Sequence, residues 1–102
     1  LEDPDSPMGT FTHWLVWNID PTNTEIAANS VPTGAIQGKT SGGRAGYYPP
    51  CPNKGTHRYI FKLYALDVKL DLSANSDKAA LEKAMQGHIL DSTELTGLYA
   101  RQ

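Results

Sequence analysis

Two histidines and a pair of aspartates set between prolines are the side chains in this sequence whose types and spacing could do chemistry together. His13 and His57 each lie near the start of a stretch of alternating apolar residues, on the same face as the apolar positions that follow. A histidine placed so sits at the rim of a core face, desolvated on one side and reachable from the other, where small changes of environment move its charge across neutral pH. In Asp3-Pro4-Asp5-Ser6-Pro7 the prolines fix their own φ and bias the residues before them toward extended geometry. Both carboxylates are thereby held on a stiff arm. The plainer readings are two histidines bonded to loop carbonyls and an ordinary turn rich in Asp, Ser and Pro.

Two imidazoles and two carboxylates admit three chemistries. A metal centre could use all four, since these ligands suit zinc or non-haem iron, but the short His-x-x-x-His spacing of zincins is missing. A hydrolase could use Ser6, His13 and an aspartate, but no strand-turn-helix elbow presents the serine. An anion pocket is the third: protonatable histidines and tyrosine hydroxyls receive a phosphate-like group while the aspartates orient the imidazoles. It requires no missing motif and is the preferred reading, with no metal and no cofactor. Gly38-Lys39-Thr40 resembles the end of a phosphate-binding P-loop, but Thr33 stands where the first glycine should be, so a nucleotide site is rejected.

The elements that must position these residues are strands. From Thr10 to Ile19, Phe11, His13, Leu15, Trp17 and Ile19 alternate with Thr12, Trp14, Val16 and Asn18, which predicts one interior strand covered on both faces. His57 to Leu66 predicts a second strand, with His57, Tyr59, Phe61, Leu63 and Ala65 on one face. Ser76 to Gly87 predicts a helix capped by Ser76, with Ala80, Leu81, Ala84 and Met85 as its apolar stripe and Gly87 as its stop. The tail from His88 to Arg101 reads as a turn followed by a short terminal strand. Between the strands, Asp20 to Thr56 holds five of the seven prolines and six of the nine glycines, with short extended pieces expected at Glu25–Ala28 and Ala35–Gln37. A connection this long in a small domain is usually functional, and with Tyr47, Tyr48 and Cys51 it reads as an ordered binding loop.

Composition narrows the function further. At 102 residues the chain is one domain, and 9 Lys+Arg against 11 Asp+Glu leave a net charge of −2. Such a balance lacks the basic footprint that neutralises nucleic-acid phosphates. No apolar run approaches the roughly 18 residues of a membrane span, and the acidic start is unlike a signal peptide. A soluble, cytoplasmic protein is the expectation. The single cysteine, Cys51, forms no internal disulfide and makes no structural zinc site by itself.

Taken as an ordered set, Asp3-Pro4-Asp5-Ser6-Pro7, His13-Trp14 with Asn18-Ile19, Gly46-Tyr47 leading to Pro50-Cys51-Pro52, and Gly55-Thr56-His57-Arg58-Tyr59 resemble the phosphatidylethanolamine-binding protein family. Phe61-Lys62-Leu63-Tyr64-Ala65-Leu66-Asp67 and Gly87-His88-Ile89-Leu90 are most similar to its bacterial and archaeal, Raf kinase inhibitor-like branch. The resemblance covers essentially the whole chain. It implies a mainly β fold, a β-sandwich of a large central sheet and a smaller sheet with a peripheral C-terminal helix. Residue by residue it carries an anion pocket over to Asp3, Asp5, His13, His57 and Tyr59, with Pro7, Trp14 and Pro50 shaping its walls. The implied ligands are phosphate, acetate or a phosphorylethanolamine head group, and no catalytic turnover is implied.

The sequence departs from the family pattern at Tyr48-Pro49, where a glycine is usual before Pro50-Cys51-Pro52. Proline removes a backbone donor and glycine's freedom to turn, so the expectation is a reshaped pocket mouth with Tyr48 as part of its wall. Family members are longer, and the resemblance implies that residues 1–102 form a single domain lacking its N-terminal strands, with a further segment or another chain completing the sheet. The leading function is non-enzymatic binding of small anions or phosphorylated head groups, modulating a kinase or other signalling partner. A kinase or serine protease inhibitor acting through its loop surface is the alternative, and a metal-dependent or hydrolytic enzyme the second alternative.

Overall fold

The computed structural model describes residues 1–7, 9–20, 31, 34–49 and 55–100. Chain order gives β1 (Glu2–Asp3), β2 (Phe11–Thr12), β3 (Val16–Trp17), β4 (Ile36–Gln37), β5 (Thr56–Leu66), α1 (Lys78–Met85) and β6 (Ile89–Ala100). The strands make a four-stranded sheet in the order β2-β1-β5-β6 and a two-stranded sheet of β3 and β4. The described chain is therefore mainly β, with two sheets and one helix, in agreement with the fold class expected from the sequence.

The predicted strand at His57–Leu66 forms as β5, and the tail departs from expectation in its length. β6 is a 12-residue strand, paired antiparallel along the whole of β5 from Thr56↔Ala100 to Leu66↔Ile89, with one register irregularity at Ala65/Leu66. Ser92, Thr93, Thr96 and Gly97 interrupt its apolar period, but ladder bonds to β5 hold it extended regardless of pattern. The predicted strand at Thr10–Ile19 is not continuous. It forms β2 in the larger sheet and β3 in the smaller, because the chain changes sheets between them. The amides of His13 and Trp14 both donate to Leu1 O, at 2.8 and 3.4 Å, and His13 O accepts from Tyr48 N at 2.8 Å. Beyond the break the alternation holds, with His13, Leu15 and Trp17 buried and Trp14, Val16 and Asn18 half-buried, but in β2 Thr12 is the buried residue and Phe11 is half-buried.

The expected extended piece at Ala35–Gln37 appears as β4, whereas Glu25–Ala28 lies outside the described residues. The helix starts one residue later than predicted, with Asp77 as its cap: its carboxylate accepts from Ala80 N at 2.9 Å, a contact worth about 1 kcal/mol. Ser76 instead donates its hydroxyl to Ser73 O at 2.6 Å. Beyond the helix, Gly87 at φ +79° adopts the left-handed geometry that ends it.

Leu81 and Met85, one turn apart on α1, meet Leu15, Trp17 and Leu70 in the core, with Ile36, Leu66, Leu72 and Ala84 packed around them. Asn18 ties this core to the segment after β5: its amide donates to Leu70 O and its carbonyl accepts from Leu70 N, each at 2.8 Å.

Candidate functional site

The alternation of β5 sends His57 and Tyr59 to one face, 9% and 4% exposed, and Arg58 to the other. β1 lies beside β5 through the pair Glu2↔Ile60, which brings Asp3 alongside His57. One Asp3 oxygen, Oδ1, accepts from the Asp5 backbone N–H at 2.8 Å, so the Asp-Pro-Asp turn fixes the carboxylate internally. The other, Oδ2, meets His57 Nδ1 at 2.6 Å in a buried pair.

His13 enters from the opposite side. Its Nδ1 lies 2.6 Å from Tyr48 O, and its ring packs against Phe11 at 4.7 Å and edge-on to Tyr59 at 5.4 Å. Tyr59 also stacks on His57 at 6.4 Å, so its ring adjoins both imidazoles. Asp3, His13, His57 and Tyr59 are thus gathered into one buried cluster.

The partners fix the tautomers. A carbonyl and an ionised carboxylate only accept, so Nδ1 of each histidine carries the hydrogen. Nε2 is then the second nitrogen of each ring. A neutral Nε2 accepts a hydrogen bond, and a protonated one donates and carries charge. Among the described residues, no group of three His, Cys, Asp or Glu side chains is arranged to hold a metal ion.

Asp5 has a different role from Asp3. Its carboxylate accepts from Arg58 N, Nε and Nη2 at 2.9, 3.0 and 2.8 Å on the exposed side of β5. The Arg58 side-chain and backbone hydrogen bonds hold the Asp5 carboxyl well below the usual carboxylate range, and Asp5 in turn raises the Arg58 guanidinium. This clamp pins β5 at Arg58, next to His57, and directs Asp5 away from the histidines.

Of the other residues expected at the site, Tyr48 supplies the carbonyl that holds His13, and its ring packs on Phe11 at 5.1 Å. Trp14 donates Nε1 to Gln37 Oε1 of β4 at 2.8 Å and meets Tyr47 edge-on at 6.0 Å. Pro7 and Pro49 are exposed, and Pro50 and Cys51 lie outside the described residues. Phe11, Arg58 and Tyr99 escaped the sequence reading. Phe11 backs His13, and Tyr99 meets Tyr59 edge-on at 6.2 Å from the paired strand. Their visible signals were the alternation around His13 and the adjacency of Arg58 to His57; Tyr99 had none, because its contact depends on the β5–β6 register.

A concavity of about 270 Å³ lies at the start of α1 between Thr12, Lys39, Thr40, Ser41 and Lys78. Two of its charged groups are already engaged: Lys78 pairs with Glu2 at 2.8 Å and Glu82 at 3.7 Å, and Asp77 caps the helix. The histidine cluster, where buried acceptors and imidazoles converge, is the stronger site.

Fold and cluster define a β-rich domain in which a carboxylate-oriented imidazole, a second imidazole and a tyrosine are gathered together. The family model described as phosphatidylethanolamine-binding protein matches residues 1–100, and the chain belongs to that family. It is 48% identical to a UPF0098 protein of Pyrococcus horikoshii, a match spanning 100% of this chain and 56% of that protein. With a UPF0098 protein of Methanothermobacter thermautotrophicus the identity is 44%, over 98% of this chain and 70% of the relative. The crystal structure of CT736 from Chlamydia trachomatis, a putative phosphatidylethanolamine-binding protein homologue, matches with a TM-score of 0.94 and 40% identity, covering 99% of this chain and 69% of that one. E. coli YbcL, described as a new member of the mammalian family, matches with a TM-score of 0.85 and 33% identity over 99% of this chain and 68% of its own. The chain thus spans a little over half to about two thirds of the length of these relatives. No helix among the described residues is long and apolar enough to cross a membrane.

Proposed function

We propose that the chain is a non-enzymatic binding module that receives a small anion, a free phosphate or the phosphate monoester of a head group, at the Nε2 atoms of His13 and His57. The observation that carries this reading is the shared engagement of both Nδ1 atoms, by Asp3 and by Tyr48 O, around a common Tyr59 ring. Each imidazole is thereby held with one nitrogen for the ligand. Protonation turns these nitrogens into donors, and a charge-assisted hydrogen bond to phosphate is roughly twice as strong as a neutral one. The Asp3 carboxylate stabilises the imidazolium that binding requires, in the way that a buried carboxylate orients and supports a histidine elsewhere. Membership of the phosphatidylethanolamine-binding protein family supports the same ligand chemistry.

Isothermal titration with inorganic phosphate and with phosphorylethanolamine, at about pH 6 and pH 8, tests the reading and separates its two ligand sources. Saturable binding that is stronger at the lower pH is expected. Absence of binding of either compound at both pH values, by a folded chain, overturns it.

A further inference from the structure

Gly38-Lys39-Thr40, whose glycine spacing rules out a nucleotide loop, nevertheless lies against the start of a helix. Lys39 N donates to Ser76 O at 2.8 Å, just before α1. The approach is close, since a Cβ on Gly38 would come within 2.6 Å of that same carbonyl. On the other side Ser41 is tied to β2: its amide donates to Thr12 O at 3.0 Å, and its Oγ accepts from Thr12 N at 2.8 Å. Chain order gives this segment no helix directly after it, and the fold supplies one from later in the sequence. The concavity of about 270 Å³ lies where the two meet.

Several donors in its lining are uncommitted. Lys39 is exposed and enters no ion pair among the described residues. Thr12 is only 5% exposed, and its hydroxyl makes no hydrogen bond among the described residues. That hydroxyl is not sealed from solvent, and the opening that Thr12 lines is this concavity. A buried polar group left in that state calls for a partner. Ser41 Oγ accepts from Thr12 N and keeps its own hydrogen to donate. At the start of α1 the Asp77 carboxylate satisfies Ala80 N, and the amides of Lys78 and Ala79 have no partner within the helix. Two groups contribute nothing further: the Thr40 hydroxyl is spent on Arg44 O at 3.0 Å, and the Lys78 ammonium is held by Glu2 at 2.8 Å. Asp77 is the one acid of the lining, with one oxygen engaged in the cap.

An ammonium, two hydroxyls and two main-chain amides at a helix start form a donor set suited to a tetrahedral anion. The volume lies just under the roughly 300–1,000 Å³ of ordinary small-molecule sites, which restricts the ligand to a compact one. We propose that this concavity is a second anion site, taking sulfate or the phosphate of a small monoester on the Lys39 ammonium, the Thr12 and Ser41 hydroxyls and the Lys78 and Ala79 amides. The assignment is independent of the histidine site. Lysine keeps its charge across neutral pH whereas histidine does not, so the two sites differ in their response to pH.

Nitrogen-15 labelled chain is titrated with sodium sulfate at about pH 6 and pH 8, with sodium chloride holding the ionic strength constant, and each amide is followed by two-dimensional NMR. Saturable shifts at Ser41, Lys78 and Ala79, with the same dissociation constant at both pH values, are expected. A parallel titration with glycerol phosphate separates the sources: tighter binding than sulfate assigns the site to a monoester, and equal binding assigns it to the bare anion. Lys39→Met, at an exposed position, weakens binding by at least roughly tenfold, as loss of a hydrogen bond to a charged group requires. Thr12→Val, which keeps the shape of the buried side chain, also weakens it. Asp77→Asn keeps a capping residue but removes the opposing charge, and tightens binding by roughly twofold or more. Shifts that stay linear to about 50 mM, shifts reproduced by chloride alone, or a response confined to His13 and His57 overturn the proposal. So does unchanged affinity in Lys39→Met and Thr12→Val with the amide spectrum otherwise retained.

Discussion

Asp3 Oδ2 lies 2.6 Å from His57 Nδ1 across 54 residues of sequence, with the two side chains 5% and 11% exposed. The short contact joins the stiff Asp-Pro-Asp arm to the long strand β5, so the same bond that closes the sheet orients the imidazole. Deleting either partner leaves the other desolvated without its hydrogen bond, which costs about 1–3 kcal/mol. Asp3→Ala is therefore expected to lower stability by that amount in urea unfolding. Asp3→Asn keeps an acceptor for Nδ1 but removes the charge that favours the imidazolium. Its phosphate affinity at about pH 6 is expected to fall toward the value at pH 8; an unchanged pH dependence removes Asp3 from this role.

The two histidines are expected to be unequal in stability and equal in binding. His57→Ala exposes the Asp3 carboxylate to a buried gap, whereas His13→Ala leaves a backbone carbonyl, Tyr48 O, that water reaches from the exposed side of Tyr48. Both variants lose phosphate binding in titration calorimetry, by at least about tenfold, or 1.4 kcal/mol. Unchanged affinity in either variant removes that residue from the ligand site.

Gly42 gives an indirect test of the same geometry. A Cβ there comes within 2.6 Å of Tyr48 Cδ2, and Tyr48 holds His13 through its own carbonyl. Gly42→Ala is expected to displace Tyr48, cost about 1–3 kcal/mol as overpacking, and weaken phosphate binding. The double variant with Tyr48→Leu, which removes the clashing ring edge and keeps the carbonyl, restores affinity. Rescue separates positioning of His13 from a general loss of structure, and failure of rescue counts against the route through Tyr48.

Some of this was legible in the sequence and some was not, for physical reasons. The periodicity at His57–Leu66 and Ser76–Gly87 located β5 and α1, and alternation correctly put His13 and His57 on inward faces. The motif series gave the family. What alternation misses is a change of sheet: the apolar period of the sequence runs from Phe11 to Trp17, but the strand pairing passes from β1 to β4 and the buried phase shifts where Thr12 and His13 are buried side by side. It also misses β6, whose strand character comes from pairing with β5. The separate fates of Asp3 and Asp5 depend on Arg58 standing on the far face of β5, which motif order does not encode.

Gly38 tests the join between the smaller sheet and the helix. A Cβ at Gly38 meets Ser76 O and the Trp17 ring, each at 2.6 Å. One neighbour is backbone and the other a buried ring, so neither moves at low cost. Gly38→Ala is expected to destabilise the fold by about 3 kcal/mol or more while an equally conservative change at Gly43, where nothing lies within 4 Å but φ is +92°, costs only the strain of that backbone. Thermal unfolding of both variants checks the ranking, and a smaller loss at Gly38 than at Gly43 counts against this packing.

Glu2 sits on the face of the sheet opposite the histidines, between Lys78 at 2.8 Å and Lys62 at 3.3 Å. Burial works to raise its carboxyl, but the Lys78 hydrogen bond and charge, with Lys62 behind them, outweigh it, and the carboxyl lies below its ordinary value. Burial likewise works to lower the Lys62 ammonium, and Glu2 overcomes it, so that group lies above its ordinary value. A carboxyl lowered in the folded state contributes stability above its unfolded value and loses it as pH falls through the folded one. A raised ammonium contributes below its unfolded value and loses it as pH rises through the folded one. The network is therefore fully stabilising between the ordinary ranges of a carboxylate and a lysine. Glu2→Gln is expected to cost about 1 kcal/mol at neutral pH, with the gap from the unmodified chain closing as pH falls below the ordinary carboxylate range. Every other carboxylate is common to both chains, so the difference in urea unfolding as a function of pH isolates Glu2. A gap that stays constant into strong acid rules out the charged network as its source.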